Sequence, residues 1–129
     1  ARLGSGWIGG AATPADVAKS IAMIKDELRV EGRSIDEDHY GASIAFRIGT
    51  TDDGAVKNSP FLKRAGIGDE IDLNPLFCIG DTAKLVQRLR DYVAAGASKF
   101  VLFPVTEGDA DTFDQTRRVI EEVKPLIED

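Results

Sequence analysis

The chain has 129 residues, 43% of them hydrophobic and 29% charged, which is the composition of one ordinary globular domain. Its net charge of −6, with no stripe of Lys and Arg, argues against a nucleic-acid partner, because phosphate neutralisation needs clustered positive charge. No apolar run approaches the ~20 residues of a membrane span, and the single cysteine, Cys78, excludes an internal disulfide and indicates a reducing, cytoplasmic setting.

The first predicted elements are a short apolar strand around Trp7 and an amphipathic helix. Thr13 is a preferred N-cap residue, and Pro14 fits the first helical position. Gly32 is the expected end of the helix. Between them the apolar residues recur at helical spacing, namely Val17, Ile21, Ile24 and Leu28.

A second strand is predicted from Tyr40 to Ile48, after an acidic loop that contains the one histidine, His39. We expect His39 to be a solvated loop residue. Along the strand, large apolar residues alternate with small or polar ones, namely Ile44, Phe46 and Ile48 with Ser43, Ala45 and Arg47. Small residues on one face suit a barrel interior or a closely packed helix.

Residues 50–75 show no clean period, and we expect a long irregular loop that is functional or mobile, with a short helical turn at residues 61–65. The apolar run at residues 76–79 then ends at Gly80 and includes Cys78, which we interpret as core filler.

The last third of the sequence is predicted to form a helix, then a buried strand, then a second helix. The helix begins at Asp81 or Thr82 and ends at Gly96, and the strand covers residues 99–103. The last helix begins at Asp109 or Asp111. The two apolar faces are formed by Leu85, Val86, Leu89, Tyr92 and Val93, and by Phe113, Ile120, Val123 and Ile127. The alternation of strands and helices predicts an α/β fold with parallel strands.

Residues 4–9 match the dinucleotide fingerprint G-x-G-x-x-G literally. The context is wrong, because only three residues precede the motif and the helix opens later, at Thr13. The acids near the required distance, Asp26 and Glu27, lie inside the first helix, and Trp7 blocks a close approach to the backbone. A Rossmann-like nucleotide binder is therefore a weak alternative.

The same stretch, residues 1–8, resembles the A-R-L-G-D-G-W segment of the luciferase-like flavin-dependent oxidoreductases, and residues 13–16 are similar to the family's T-P-E-E. Residues 77–96 resemble its F-x-x-G-T-P-E-E-V-A-x-R-L-x-x-Y-V-x-A-G. Residues 100–104 and 123–127 are similar to its F-V-L-R-P and V-x-P-x-L. The ordered set spans nearly the whole chain, and it departs from the family at Ser5, where the family has Asp, and at Phe103, where it has Arg.

The resemblance implies a single partial domain over residues 1–129, the C-terminal part of a TIM-type (β/α)8 barrel. A complete barrel needs ~250 residues, and the start at Ala1 rather than Met agrees with a truncated, processed or partly recorded chain. The family implies an oxidoreductase or monooxygenase that acts on a small molecule with FMN or the deazaflavin coenzyme F-420. The late motifs slightly favour coenzyme F-420.

Active sites of such barrels lie at the C-terminal ends of the strands. The candidate cofactor-binding residues are Gly6, Trp7, Gly9 and Arg47, whereas no catalytic residue and no metal ligand is indicated. Trp7 either walls a flavin site or packs between the barrel and a helix. Arg47 either reaches an anionic ligand or faces solvent. Glu107, at a strand end, is expected to be an exposed loop carboxylate.

A second hypothesis is a half-barrel without activity of its own. Parallel strands covered on one side leave open edges. Such a unit would associate into a homo-oligomer or pair with a separate N-terminal half.

Overall fold

A computed structural model describes residues 1–60 and 76–127, in which parallel strands alternate with helices. The predicted α/β class is confirmed. In chain order the elements are β1 (Trp7–Gly9), α1 (Pro14–Val30), β2 (Tyr40–Ile48), α2 (Gly54–Lys57), β3 (Phe77–Gly80), α3 (Thr82–Ala94), β4 (Lys99–Pro104) and α4 (Asp109–Arg118). A 3-10 turn, Glu37–His39, precedes β2, and α4 continues into a π-helical turn, Val119–Val123, and a 3-10 turn, Lys124–Leu126. None of the helices in these two ranges is long and apolar enough to cross a membrane.

β2 is the central strand of the sheet. β1 pairs in parallel with its first three residues, and β3 pairs in parallel with its last four. β4 also runs parallel to β2, from Gly41 opposite Lys99 to Phe46 opposite Pro104. Because a strand has only two edges, β1 and β3 must share one edge of β2, while β4 lies along the other. The predicted order of elements did not include β3, because residues 76–79 were described only as an apolar run and not as a strand.

The two long helices begin and end at the predicted residues. At the start of α1, the Asp16 amide donates to the Thr13 hydroxyl at 3.2 Å, and the Thr13 amide donates to the Asp16 carboxylate at 3.1 Å. Asp81 caps α3 by accepting from the Lys84 amide at 2.8 Å. Gly32 and Gly96 follow the two helices with φ of 65° and 99°, the left-handed conformation that ends a helix at low cost only for glycine.

The main core lies between the sheet and helices α1 and α3. The even-numbered side chains of β2 point into it, and so does Cys78 of β3, whose pKa is raised by burial. The prediction that Cys78 fills the core is confirmed. The other buried members of this core include Val17 and Ile21 of α1 and Leu85, Val86, Leu89 and Tyr92 of α3.

The odd-numbered residues of β2 face the opposite side of the sheet, which is only partly covered. Near the strand ends, α2 and Val105 pack on this side against Ala45 and Phe77. Elsewhere on this side, Ile8, Val101 and Phe103 are 54%, 38% and 51% exposed. The prediction of a buried strand at residues 99–103 is thus wrong for one of its faces, because no described helix packs over it.

The apolar stripe predicted for the last helix is also wrong in part. Phe113 is 75% exposed and Ile120 is exposed as well, whereas Gln115 and Val123 are buried. The face toward the sheet therefore follows Gln115, Val119 and Val123, four residues apart, and this face includes a polar residue that a search for apolar periodicity passes over. In α3, Val93 is likewise half exposed.

The predicted irregular segment, residues 50–75, contains the short helix α2. Asp53 caps it by accepting from the Ala55 amide at 3.0 Å, and Ala55 and Val56 are buried. Four residues are too few to show a helical period, which explains why the pattern did not indicate it. The helical turn predicted at residues 61–65 lies outside the described residues.

Replacing Tyr40 by phenylalanine is expected to stabilise the protein by about 1 kcal/mol. The Tyr40 hydroxyl is buried without a hydrogen-bond partner in the described ranges, a cost that phenylalanine removes while it keeps the ring beneath Lys25 Nζ, 5.3 Å away. Urea unfolding measures the change. The matched control is Tyr92→Phe, which loses the bond from the Tyr92 hydroxyl to the Ala12 carbonyl and should lower stability. A lower stability for Tyr40→Phe would contradict the prediction.

Candidate functional site

The four predicted cofactor-binding residues lie near opposite ends of β2. Gly6, Trp7 and Gly9 lie on or beside β1, where Trp7 is opposite Tyr40 at the start of β2. Arg47 is seven residues further along β2, which at ~3.3 Å per residue is roughly 23 Å away. Trp7 shares the core side of the sheet with Tyr40, whereas Arg47 faces the other side. The structure therefore does not bring these residues into one site.

Trp7 packs against the main core, as one of its two interpretations requires, while its role as a wall of a flavin site stays a prediction. Its half-buried ring packs against the main core and lies close to Gly9, where an added Cβ would be 2.8 Å from Trp7 Cη2. An added Cβ at Gly6 would be 2.9 Å from the carbonyl oxygen of His39. Close packing thus explains both glycines without a ligand. The literal fingerprint does not form a strand-to-helix turn either, since Trp7–Gly9 is itself the strand.

His39 lies partly exposed in the 3-10 turn before β2, and its ring contacts the backbone, which the expectation of a solvated loop residue did not include. Its Nδ1 lies 2.9 Å from the Ser5 carbonyl oxygen, which joins the turn before β2 to the segment before β1. Asp36, Asp38 and His39 each place one potential ligand atom within 4.8 Å of the others. Such exposed acidic groups on a surface turn are common without a metal ion, and they carry no functional assignment here.

Arg47 does not face solvent, so that interpretation is wrong: its side chain is only 10% exposed. Its Nε and Nη2 both lie 2.7 Å from Asp53 Oδ2. Its Nη1 donates to Asp111 Oδ2 at 2.9 Å and to the Val105 carbonyl oxygen at 3.0 Å. Every nitrogen of the guanidinium group thus has a protein acceptor, and an anionic ligand would compete with two carboxylates for it. The prediction that Arg47 binds a cofactor stays a prediction.

Each carboxylate also accepts a hydrogen bond from a nearby backbone amide, Asp53 at the start of α2 and Asp111 from within the first turn of α4. Asp53 Oδ1 accepts from the Ala55 amide at 3.0 Å, and Asp111 Oδ2 accepts from the Glu107 amide at 2.9 Å. The hydrogen bond from Arg47 lowers the pKa of Asp53, with a further contribution from the Ala55 amide. The stability gained from this lowered pKa is complete above the ordinary pKa of aspartate and is lost as the pH falls through the lowered value.

Gln115 completes this end of the sheet, and the sequence patterns did not identify it. Its side chain is buried, with Oε1 accepting from the Ile48 amide at 2.8 Å and Nε2 donating to the Ile48 carbonyl at 3.2 Å. Arg118 Nη1 donates to the same carbonyl at 3.0 Å. The sequence does contain a signal for Gln115. It lies four residues before Val119 and eight before Val123, so it shares a helical face with these apolar residues.

A small apolar hollow lies on the partly covered side of the sheet, just beyond the end of β1. Its volume is about 210 Å³, and its walls are Gly10, Ala11, Ser43, Ala45, Leu76, Phe77 and Phe103. Phe103 occupies the position at which the luciferase-like pattern has an arginine. The hollow therefore offers an aromatic ring where the pattern would place a cation. Glu107, beyond the end of β4, is an exposed loop residue as predicted.

Comparison with protein-family models and with curated proteins gives no family for the chain. No protein-family model matches the chain, and no curated protein matches it. The sheet geometry and the motifs of the sequence are therefore the grounds for a functional proposal.

Proposed function

We propose that this chain forms the last strands and helices of a (β/α) barrel in a luciferase-like oxidoreductase that uses coenzyme F-420 or FMN. The bound cofactor would supply the hydride transfer or oxygen activation, and the protein would bind and orient it beside a small-molecule substrate. The proposal includes a cytoplasmic location, in keeping with a single cysteine that is buried and unpaired.

The partly covered side of the sheet is the observation that carries the barrel proposal. Parallel sheets are normally covered on both faces. Here α1 and α3 pack on one face, while Ile8, Val101 and Phe103 remain exposed on the other. A barrel would turn that second face inward and fill it with side chains of further strands.

The order and composition of the strands support the same proposal. Apart from the short β3, neighbouring strands follow chain order, since β1 pairs with β2 and β2 pairs with β4. Barrel strands are arranged in this way. The inward positions of β2 are Gly41, Ser43 and Ala45, opposite Lys99, Val101 and Phe103 of β4. Small residues beside large ones leave room for side chains from the opposite wall of a barrel.

Within that barrel, the apolar hollow beside Gly10 and Phe103 is the proposed contact surface for the flavin ring. Ligand sites are mostly apolar and concave, and barrel enzymes place them toward the C-terminal ends of the strands. Phe103 contributes ring surface and no charge, so the cofactor phosphate would be bound elsewhere, by backbone amides or by other strands.

The proposal is tested by titrating the chain with FMN and with coenzyme F-420 and following fluorescence quenching. We expect saturable binding of one cofactor, which Phe103→Ala weakens because it removes a wall of the hollow. The control Phe113→Ala alters an exposed ring on α4 and should leave the affinity unchanged. Binding of neither cofactor, or equal affinity in both variants, would reject the proposed site.

The exposed face also favours the second candidate function, a half-barrel assembly module without catalysis. Among the described strands β4 pairs only with β2, which leaves its outer edge available for another chain. Light scattering at several concentrations gives the native mass. An assembly that binds neither flavin would favour this alternative, and a stable monomer at all concentrations would count against it.

A further inference from the structure

We propose that Arg47 is a positioning residue, which holds the loop after β2 and the loop after β4 in one fixed arrangement at the C-terminal edge of the sheet. Its guanidinium group contacts Asp53, six residues later in the chain, and Asp111, sixty-four residues later. It also binds the carbonyl oxygen of Val105, directly after β4. One side chain thus joins two loops that are far apart in sequence.

Each carboxylate extends this connection to a second backbone group, Asp53 as the cap of α2 and Asp111 from the first turn of α4 back to the loop after β4. Asp53 binds both Arg47 and the Ala55 amide at the start of α2. Asp111 binds both Arg47 and the Glu107 amide in the loop after β4. The contacts therefore form one continuous chain. The Ala55 amide is linked through Asp53 to Arg47, and Arg47 is linked through Asp111 to the Glu107 amide.

The base of this arrangement is rigid. Arg47 lies on the central strand, where β3 pairs with the same stretch of β2, and the next residue, Ile48, is held by Gln115. A planar guanidinium can serve two carboxylates and a carbonyl from one position, whereas the ammonium group of lysine is a single point charge on a flexible stem. Arginine is therefore the residue type that this geometry requires.

This role changes the expectation for ligand binding. In (β/α) barrels the loops after the strands carry the chemistry. On the proposed function, Arg47 would influence a ligand through the shape of two such loops and not by direct contact. The coupling between the loops does not itself depend on the cofactor, so it can be tested without one.

The decisive experiment changes one loop and observes the other. In Asp111→Asn, amide hydrogen exchange followed by NMR should become about tenfold faster at Ala55, at the start of α2, because the shared arginine loses one of its two carboxylate partners. In Asp53→Asn, the Glu107 amide should respond in the same way. The amides of Ile44 and Phe46, within β2, should keep their wild-type rates.

Arg47→Lys should accelerate exchange at both loop amides together. The control is Arg118→Met, which also alters a bond to the end of β2 but whose ion-pair partner, Glu122, belongs to its own helix. It should leave Ala55 and Glu107 unchanged. Acceleration confined to the mutated loop, or spread equally over the core amides of β2, would overturn the proposal. A negative flavin titration would leave this result unaffected.

Discussion

Replacing Phe46 by alanine is expected to lower the free energy of unfolding by about 3–5 kcal/mol. Phe46 is 2% exposed and lies in the middle of the main core. Alanine would leave a cavity there, because the backbone of β2 is fixed by strands on both edges and cannot close the gap. Since domains of this size are stable by only ~5–15 kcal/mol, this loss is a large fraction of the total stability.

Chemical denaturation of the two phenylalanine variants Phe46→Ala and Phe113→Ala measures this difference directly. Phe113 has the same side chain but is 75% exposed, so its removal should change stability by less than about 0.5 kcal/mol. A comparable loss in both variants would show that the core does not lie between the sheet and α1 and α3.

The second large effect is expected for Gln115→Leu, which should cost about 2–3 kcal/mol. Gln115 is 2% exposed, and leucine fills nearly the same space. However, the Ile48 amide would lose its partner at 2.8 Å while it remains buried. The Ile48 carbonyl would keep the bond from Arg118, which limits the loss.

Thermal and urea unfolding of Gln115→Leu should be compared with Gln87→Leu. Gln87 is an exposed residue of α3 that bonds Asp91 one turn away, so leucine there should change stability by less than about 0.5 kcal/mol. If Gln115→Leu were neutral or stabilising, the buried amide of Ile48 would have to find another partner, and the role assigned to Gln115 would be wrong.

Local sequence signals predicted the two long helices and the strands β1, β2 and β4, though not β3 or α2, because such signals depend on residues close together in the chain. The Thr13 and Asp81 caps and the left-handed Gly32 and Gly96 are decided within one helical turn. The alternation in β2 is equally local: it separated Ile44, Phe46 and Ile48 from Ser43, Ala45 and Arg47, and the structure places the first set in the main core. The exposure of β4 could not be predicted in this way, since it depends on what packs over the strand.

The candidate site was harder to predict for the same reason. Arg47 was recognised as an unusual cation in a strand, but its partner Asp111 is sixty-four residues away, and no periodicity relates the two. Gly6 and Gly9 were selected because they belong to a motif. In the structure, glycine is required at these positions because a larger residue would collide with the His39 carbonyl at Gly6 and with the Trp7 ring at Gly9. Gln115 was missed because the patterns followed apolar residues only.

The two bonds from Gln115 to Ile48 have a consequence for aggregation. A side-chain amide offers the same donor and acceptor as a peptide group, so Gln115 occupies the place where a residue of another strand would pair with Ile48. β4 stops pairing with β2 at Pro104, two residues earlier along β2. A strand end that is left unpaired in this way can recruit a strand from a neighbouring molecule. Gln115 blocks that recruitment at the end of β2 without adding a strand to the sheet.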